Sequence, residues 1–132
     1  DCGGEAVGIL TDTGFVPEPA AAALTGVDLL VLESNHDVDW LQSGPYPYSL
    51  KQRILGRRGH LSNEDAAAFA RRMAECGTRY FVLAHLSREN NTPARALQVM
   101  ETALSDLDVS VEVAPRDELS VCYAPEVIAC RR

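Results

Sequence analysis

The chain has 132 residues, 46% of them apolar, which is enough for one core and leaves no segment with the composition of a disordered tract. Its net charge of −7 argues against non-specific, charge-driven binding to nucleic acid, but leaves room for an enzyme that handles nucleic acid through a local basic patch and metal ions. No apolar run approaches the roughly 20 residues needed to span a bilayer, and four scattered cysteines (Cys2, Cys76, Cys122, Cys130) with no C-x-x-C pair read as reduced thiols of a cytoplasmic protein.

The opening Asp1-Cys2-Gly3-Gly4-Glu5 has neither the basic nor the apolar region of a signal peptide. There is no initiator Met, and a strand is expected within a few residues, which suggests a chain cut from something longer. Glu5 to Thr11 is strand-like and runs into Asp12-Thr13-Gly14. Pro17 to Leu24 is Ala-rich with proline in its first turn, a helix that Gly26 ends. Val27 to Leu32 is a near-continuous apolar run, the pattern of a strand covered on both faces, followed by Glu33-Ser34-Asn35-His36-Asp37.

Asp37 to Gln42 suits a helical turn, and Ser43 to Tyr48 a turn-rich loop. Ser49 to Arg58 reads as a helix with a basic face of Lys51, Arg53, Arg57 and Arg58, closed by Gly59 and followed by His60. Ser62 with Asp65 resembles a capping box for a helix to about Cys76. Arg79 to Val82 begins a buried strand that ends near His85, before the polar loop Leu86 to Asn91. Thr92-Pro93 starts a helix to about Leu104. Val109 to Val113 alternates as a strand that runs into Arg116-Asp117, and Leu119 to Tyr123 suits an edge strand. Strands alternating with helices imply βαβ crossovers and a largely parallel sheet.

In such a sheet the strand ends share one edge, where ligands bind. Asp12, Glu33, His85 and the Arg116-Asp117 pair therefore fall on one rim. Each has a plain alternative: Asp12 as a turn former, Glu33 as a solvated strand end, His36 as a turn residue, His60 as a helix-terminus residue, His85 as a loop histidine bonded to backbone. The basic helix face has one too, as a solvated surface. Together, a carboxylate and a histidine at strand ends suit Zn or Mn. A catalytic zinc takes about three protein ligands, and Asp12 with His85 supplies two. Spacing leaves open whether His36 or His60 adds a third.

Thr11-Asp12-Thr13-Gly14 and Ala84-His85-Leu86-Ser87 resemble two metal motifs of the metallo-β-lactamase-fold hydrolases, from the C-terminal half of that αββα sandwich. Leu32-Glu33-Ser34-Asn35 and Gly59-His60-Leu61-Ser62 are similar to the His-Glu-Ala-Thr and His-Ser-Thr segments of the tRNA 3′-processing endonucleases. Glu33-Ser34-Asn35-His36-Asp37, Gly44-Pro45-Tyr46-Pro47-Tyr48 and His85 to Pro93 look like the YycJ/WalJ-like bacterial branch.

The resemblance implies an α/β fold, the C-terminal half of the αββα sandwich with a largely parallel sheet and flanking helices. Residues 1–132 would be a single partial domain, lacking the H-x-H-x-D-H motif of the N-terminal half. It implies two divalent metal ions, Zn or Mn, with Asp12 and His85 as ligands, and a catalytic pair in which Glu33 orients His60. Asn35, His36, Ser62, Ser87, Arg88 and Asn90 would bind substrate. The activity implied for the intact protein is metal-dependent phosphodiester hydrolysis, a 5′→3′ exonuclease on single-stranded DNA, with DNA preferred to RNA as partner and no membrane. The missing ligands imply that the isolated chain is inactive, with sheet surface left exposed. Two other readings remain: a metallohydrolase of a small ester, thioester or lactam, and a non-catalytic fragment.

Overall fold

A computed structural model of the protein describes residues 6–114. Its elements are β1 (Val7–Leu10), α1 (Glu18–Leu24), β2 (Leu29–Glu33), α2 (Val38–Ser43), α3 (Tyr48–Leu55), α4 (Asn63–Glu75), β3 (Tyr80–Ala84), α5 (Pro93–Ala103) and β4 (Ser110–Val113). The strands form one sheet in the order β1-β2-β3-β4, and every pair is parallel. The expected Leu119–Tyr123 strand, the Arg116-Asp117 pair and three of the four cysteines (Cys2, Cys122, Cys130) lie outside the described residues; Cys76 is a free, exposed thiol.

Successive parallel neighbours joined by right-handed crossovers put their helices on one face of the sheet. The core follows that rule. Leu30 and Leu32 of β2 and Phe81 and Leu83 of β3 meet Ala21 of α1, Phe69 and Met73 of α4, and Met100 of α5. Burying each large side chain is worth about 1.5–3 kcal/mol. The opposite face carries Leu29 and Val82 with the half-buried Val31 and Tyr80, and no described helix packs there. On that face Val7 is 47% and Ile9 is 67% exposed. The continuous apolar run of β2 thus has a helix layer on one side only among the described residues, with open sheet on the other.

The helix starts follow from their caps. Asp37 accepts from the Trp40 N–H, Ser62 from the Asp65 N–H and Thr92 from the Arg95 N–H, each bond being 3.0–3.1 Å. Arg95 also reaches back to Asp37 at 2.8 Å, tying α5 to the start of α2.

One boundary differs in a way that matters for the site. The helix expected over Ser49–Arg58 stops at Leu55, and Gly56 rather than Gly59 is its cap. The chain turns back there: the Gly59 N–H bonds Gly56 O and the His60 N–H bonds Ile54 O, both at 3.0 Å. A Cβ on Gly59 would overlap Ile54 O, so this return needs glycine. The basic face is therefore split. Lys51 and Arg53 stay on α3, while Arg57 leaves it and stacks 3.9 Å over the Phe15 ring.

Candidate active site

Asp12, Glu33 and His85 stand at the carboxyl ends of β1, β2 and β3, and the turn after α3 delivers His60 to the same place. One ligand atom from each of the four lies within 4.8 Å of the others. The local backbone explains the convergence. Asp12 and His85 have φ of 60° and 61°, left-handed values that non-glycine residues adopt at a cost of about 1–3 kcal/mol. Each strand breaks sharply at that residue instead of running on.

Tertiary contacts hold those breaks. The Asp12 N–H donates to Glu33 Oε1 at 2.5 Å. His85 O accepts from Asn35 Nδ2 at 2.8 Å, and the Ser87 N–H donates to Asn35 O at 2.7 Å. The Gly14 N–H bonds Arg57 O at 3.1 Å, and a Cβ on Gly14 would overlap Gly56 O. This glycine lets the loop carrying Asp12 lie flat on the turn carrying His60. The Arg57–Phe15 stack closes the same contact.

Glu33 is the hub. It is fully buried, while the Asp12 side chain is 73% exposed. Its Oε2 lies 2.5 Å from His60 Nδ1 and 3.1 Å from His85 Nδ1. The two rings meet edge to face with centroids 5.0 Å apart. A buried carboxylate needs partners, and Glu33 has two imidazoles and a backbone N–H. With Nδ1 engaged, Nε2 of His60 is the ring nitrogen left for other work. Asp12 Oδ1 is 3.7 Å from His85 Nδ1 and 3.9 Å from His60 Nδ1. Carboxylate and imidazole donors, half of them open to solvent, form a set that could hold a divalent metal ion.

Of the six residues expected to touch substrate, four are buried, Ser87 is half-buried and only Arg88 is exposed. Asn35, Ser87 and Arg88 line a cleft beside His60 and His85. Asn35 is itself buried, its amide bonded to His85 O and His36 Nδ1, and His36, Ser62 and Asn90 are buried away from the cleft. Ser62 caps α4 and pairs with His36 in an isolated bridge, and the Asp37 N–H bonds Asn90 O. His36 gives Nδ1–H to Asn35 Oδ1 at 3.2 Å and has no partner on Nε2. Burial, helped by the nearby His60, lowers its pKa from 6.5 to about 4.

Sequence reading missed the residues that brace the rim. Asn63 Oδ1 accepts from Ser34 Oγ at 2.7 Å and from Asn91 Nδ2 at 2.9 Å, and Asn91 Nδ2 also donates to Ser34 O at 3.0 Å. The hint was present: Asn63 directly follows a cap, and Asn90-Asn91 directly precedes one. It also missed that Glu33 serves both histidines.

The site and sheet define a class. The solved structure of the metallo-β-lactamase fold protein YhfI from Bacillus subtilis matches with a TM-score of 0.52 and 18% identity, over 80% of this chain and 35% of that one. The described residues are thus part of a metallo-β-lactamase fold. In sequence the chain is related to the WalJ/YycJ exodeoxyribonucleases. It is 44% identical to exodeoxyribonuclease WalJ of Streptococcus pneumoniae D39 over 105 residues, and 40% identical to exodeoxyribonuclease YycJ of Bacillus anthracis over 98 residues. The matches take in 80% and 74% of this chain but only 39% and 37% of those proteins. No protein-family profile matches the chain. No helix among the described residues is long and apolar enough to cross a membrane.

Proposed function

We propose that this chain is the C-terminal part of a metal-dependent phosphodiester hydrolase that degrades single-stranded DNA from its 5′ end. The observation that carries this reading is the Glu33–His60 contact at 2.5 Å beside Asp12 and His85. Asp12 and His85 are ligand candidates, and the remaining ligands would come from sequence outside this chain. Two divalent ions, Zn or Mn, would supply an activated water and neutralise charge on the phosphate.

The other steps belong to this chain's residues. Glu33 holds His60 through Nδ1 and fixes its tautomer. As the imidazolium, whose charge Glu33 balances, His60 turns Nε2–H toward the leaving oxygen and can protonate it as the phosphorus–oxygen bond breaks, ending as the neutral Nδ1–H ring. Asn35, Ser87 and Arg88, on the cleft wall, would hold the flanking strand. A small ester or lactam would need no such arginine-bearing cleft. DNA as substrate also fits a cytoplasmic enzyme.

The test is nucleotide release from end-labelled single-stranded DNA by the full-length protein with Mn or Zn. His60→Ala should slow turnover about 10²–10⁴-fold, the usual worth of a positioned general acid. A variant as fast as the parent would remove His60 from that role, and a parent that degrades no strand would end the nuclease reading.

A further inference from the structure

The cleft beside His60 suggests which nucleotide it takes, an inference that rests on the nuclease reading above. It measures about 570 Å³, within the roughly 300–1,000 Å³ that holds small ligands. Its wall is of two kinds. Leu50, Ile54 and Leu86 make an apolar side with the Tyr46 ring, and Arg53 and Arg58 bring positive charge from α3 and the turn behind it. Both arginines are exposed, and neither side chain has a hydrogen-bond or ion-pair partner among the described residues. By contrast Arg71, Arg72 and Arg95 are each paired with a carboxylate.

The cleft also holds Arg88 and one carboxylate, Glu89, which the Tyr46 hydroxyl engages, so in a chain of net charge −7 its lining carries an excess of guanidinium that suits an anion. Guanidinium donors match phosphate oxygens, and an aromatic and apolar wall takes a base of any sequence. Phosphate plus base is one nucleotide. His60 on the same wall says which one, because the group it protonates is the group that leaves.

We propose that the cleft holds the terminal nucleotide of the strand, its 5′-phosphate on Arg53 and Arg58 and its base against Tyr46, Leu50, Ile54 and Leu86. The oxygen of water bonds to the phosphorus of the next nucleotide. The bond from that phosphorus to the 3′-oxygen of the terminal nucleotide breaks, and the His60 proton ends on that oxygen. A mononucleotide leaves with its 5′-phosphate, and the shortened strand presents a new 5′-phosphate to the same arginines.

The experiment compares two single-stranded oligonucleotides, identical except for a 5′-phosphate or a 5′-hydroxyl, as substrates of the metal-loaded full-length protein. The phosphorylated end should be degraded about tenfold faster, as expected for charge-assisted hydrogen bonds to one phosphate. In the double variant Arg53→Ala/Arg58→Ala that ratio should fall to about one. A second measurement avoids both metal and variant: in EDTA, the parent should bind a 5′-phosphorylated trinucleotide about tenfold more tightly than its 5′-hydroxyl form. Equal rates and equal binding for the two ends in the parent would overturn the subsite and leave the nuclease reading intact. A preference that survives in the double variant would overturn the assignment to these arginines. If the parent degrades neither strand, the nuclease reading falls and the subsite with it.

Discussion

Two sets of polar side chains lie at the carboxyl end of this sheet, within a few residues of one another, and they are built for different work. Ser34, Asn63 and Asn91 are buried and bonded to each other. Asp12 and His85 are open to solvent, His60 is half-buried, and only Glu33 among the cluster is sealed in. The first set spends its donors and acceptors inside the protein and gives the rim a fixed shape. The second keeps ligand atoms and one imidazole nitrogen free, and holds two of its members in left-handed backbone. The sets sit at like positions in the fold and differ in residue type, neutral amides and a hydroxyl against ionisable groups, and in satisfaction and exposure.

Breaking the first set should cost stability. Asn63→Ala leaves the Ser34 hydroxyl without its acceptor and strips two bonds from the Asn91 amide, which keeps only Ser34 O and the Thr92 N–H, and an unsatisfied group in a dry place costs about 1–3 kcal/mol. The variant should lose about 2–4 kcal/mol in a urea titration of the full-length protein. A loss below about 0.5 kcal/mol would mean that water reaches the network and that it does not brace the rim.

His36 sharpens the boundary between the two sets, because it is a histidine placed with the scaffold. Its folded pKa, about 4, lies below the unfolded value of 6.5, so between those values the unfolded chain binds the extra proton. Stability should therefore fall as pH drops from about 6.5 toward about 4, by up to about 3 kcal/mol, and level off below that. Denaturant midpoints measured across this range check the slope, and His36→Gln should flatten it. A slope that His36→Gln leaves unchanged would assign it to other groups.

Ser62 should give the smallest effect. It caps α4, so Ser62→Ala should cost about 1 kcal/mol and leave affinity for single-stranded DNA unchanged. Weaker DNA binding at unchanged stability would return Ser62 to the substrate side of the comparison.

How much of this was legible in the sequence follows the same division. The strand ends were readable, because an apolar run that stops at Asp12, Glu33 or His85 is a local pattern. The parallel order followed from alternation alone. The Glu33–His60 pairing came from family resemblance, since nothing local links residues 27 positions apart. The Asn63–Asn91 pair, 28 positions apart, left no periodic signal at all. The end of α3 was misplaced because Gly56 and Gly59 are equally good stops by residue type. The choice between them is made by Gly14 and Phe15, which pack against the turn from β1's loop.

The central claim is that Asp12 and His85 hold metal while Glu33 and His60 serve the leaving group. Its most direct test is anomalous diffraction at the metal edge from crystals of the full-length protein grown with Mn or Zn. The account predicts an anomalous peak within about 2.0–2.2 Å of an Asp12 carboxylate oxygen and a His85 ring nitrogen, with His60 Nδ1 still on Glu33. A peak bound by His60 in place of His85, or no peak among these four residues, would contradict it.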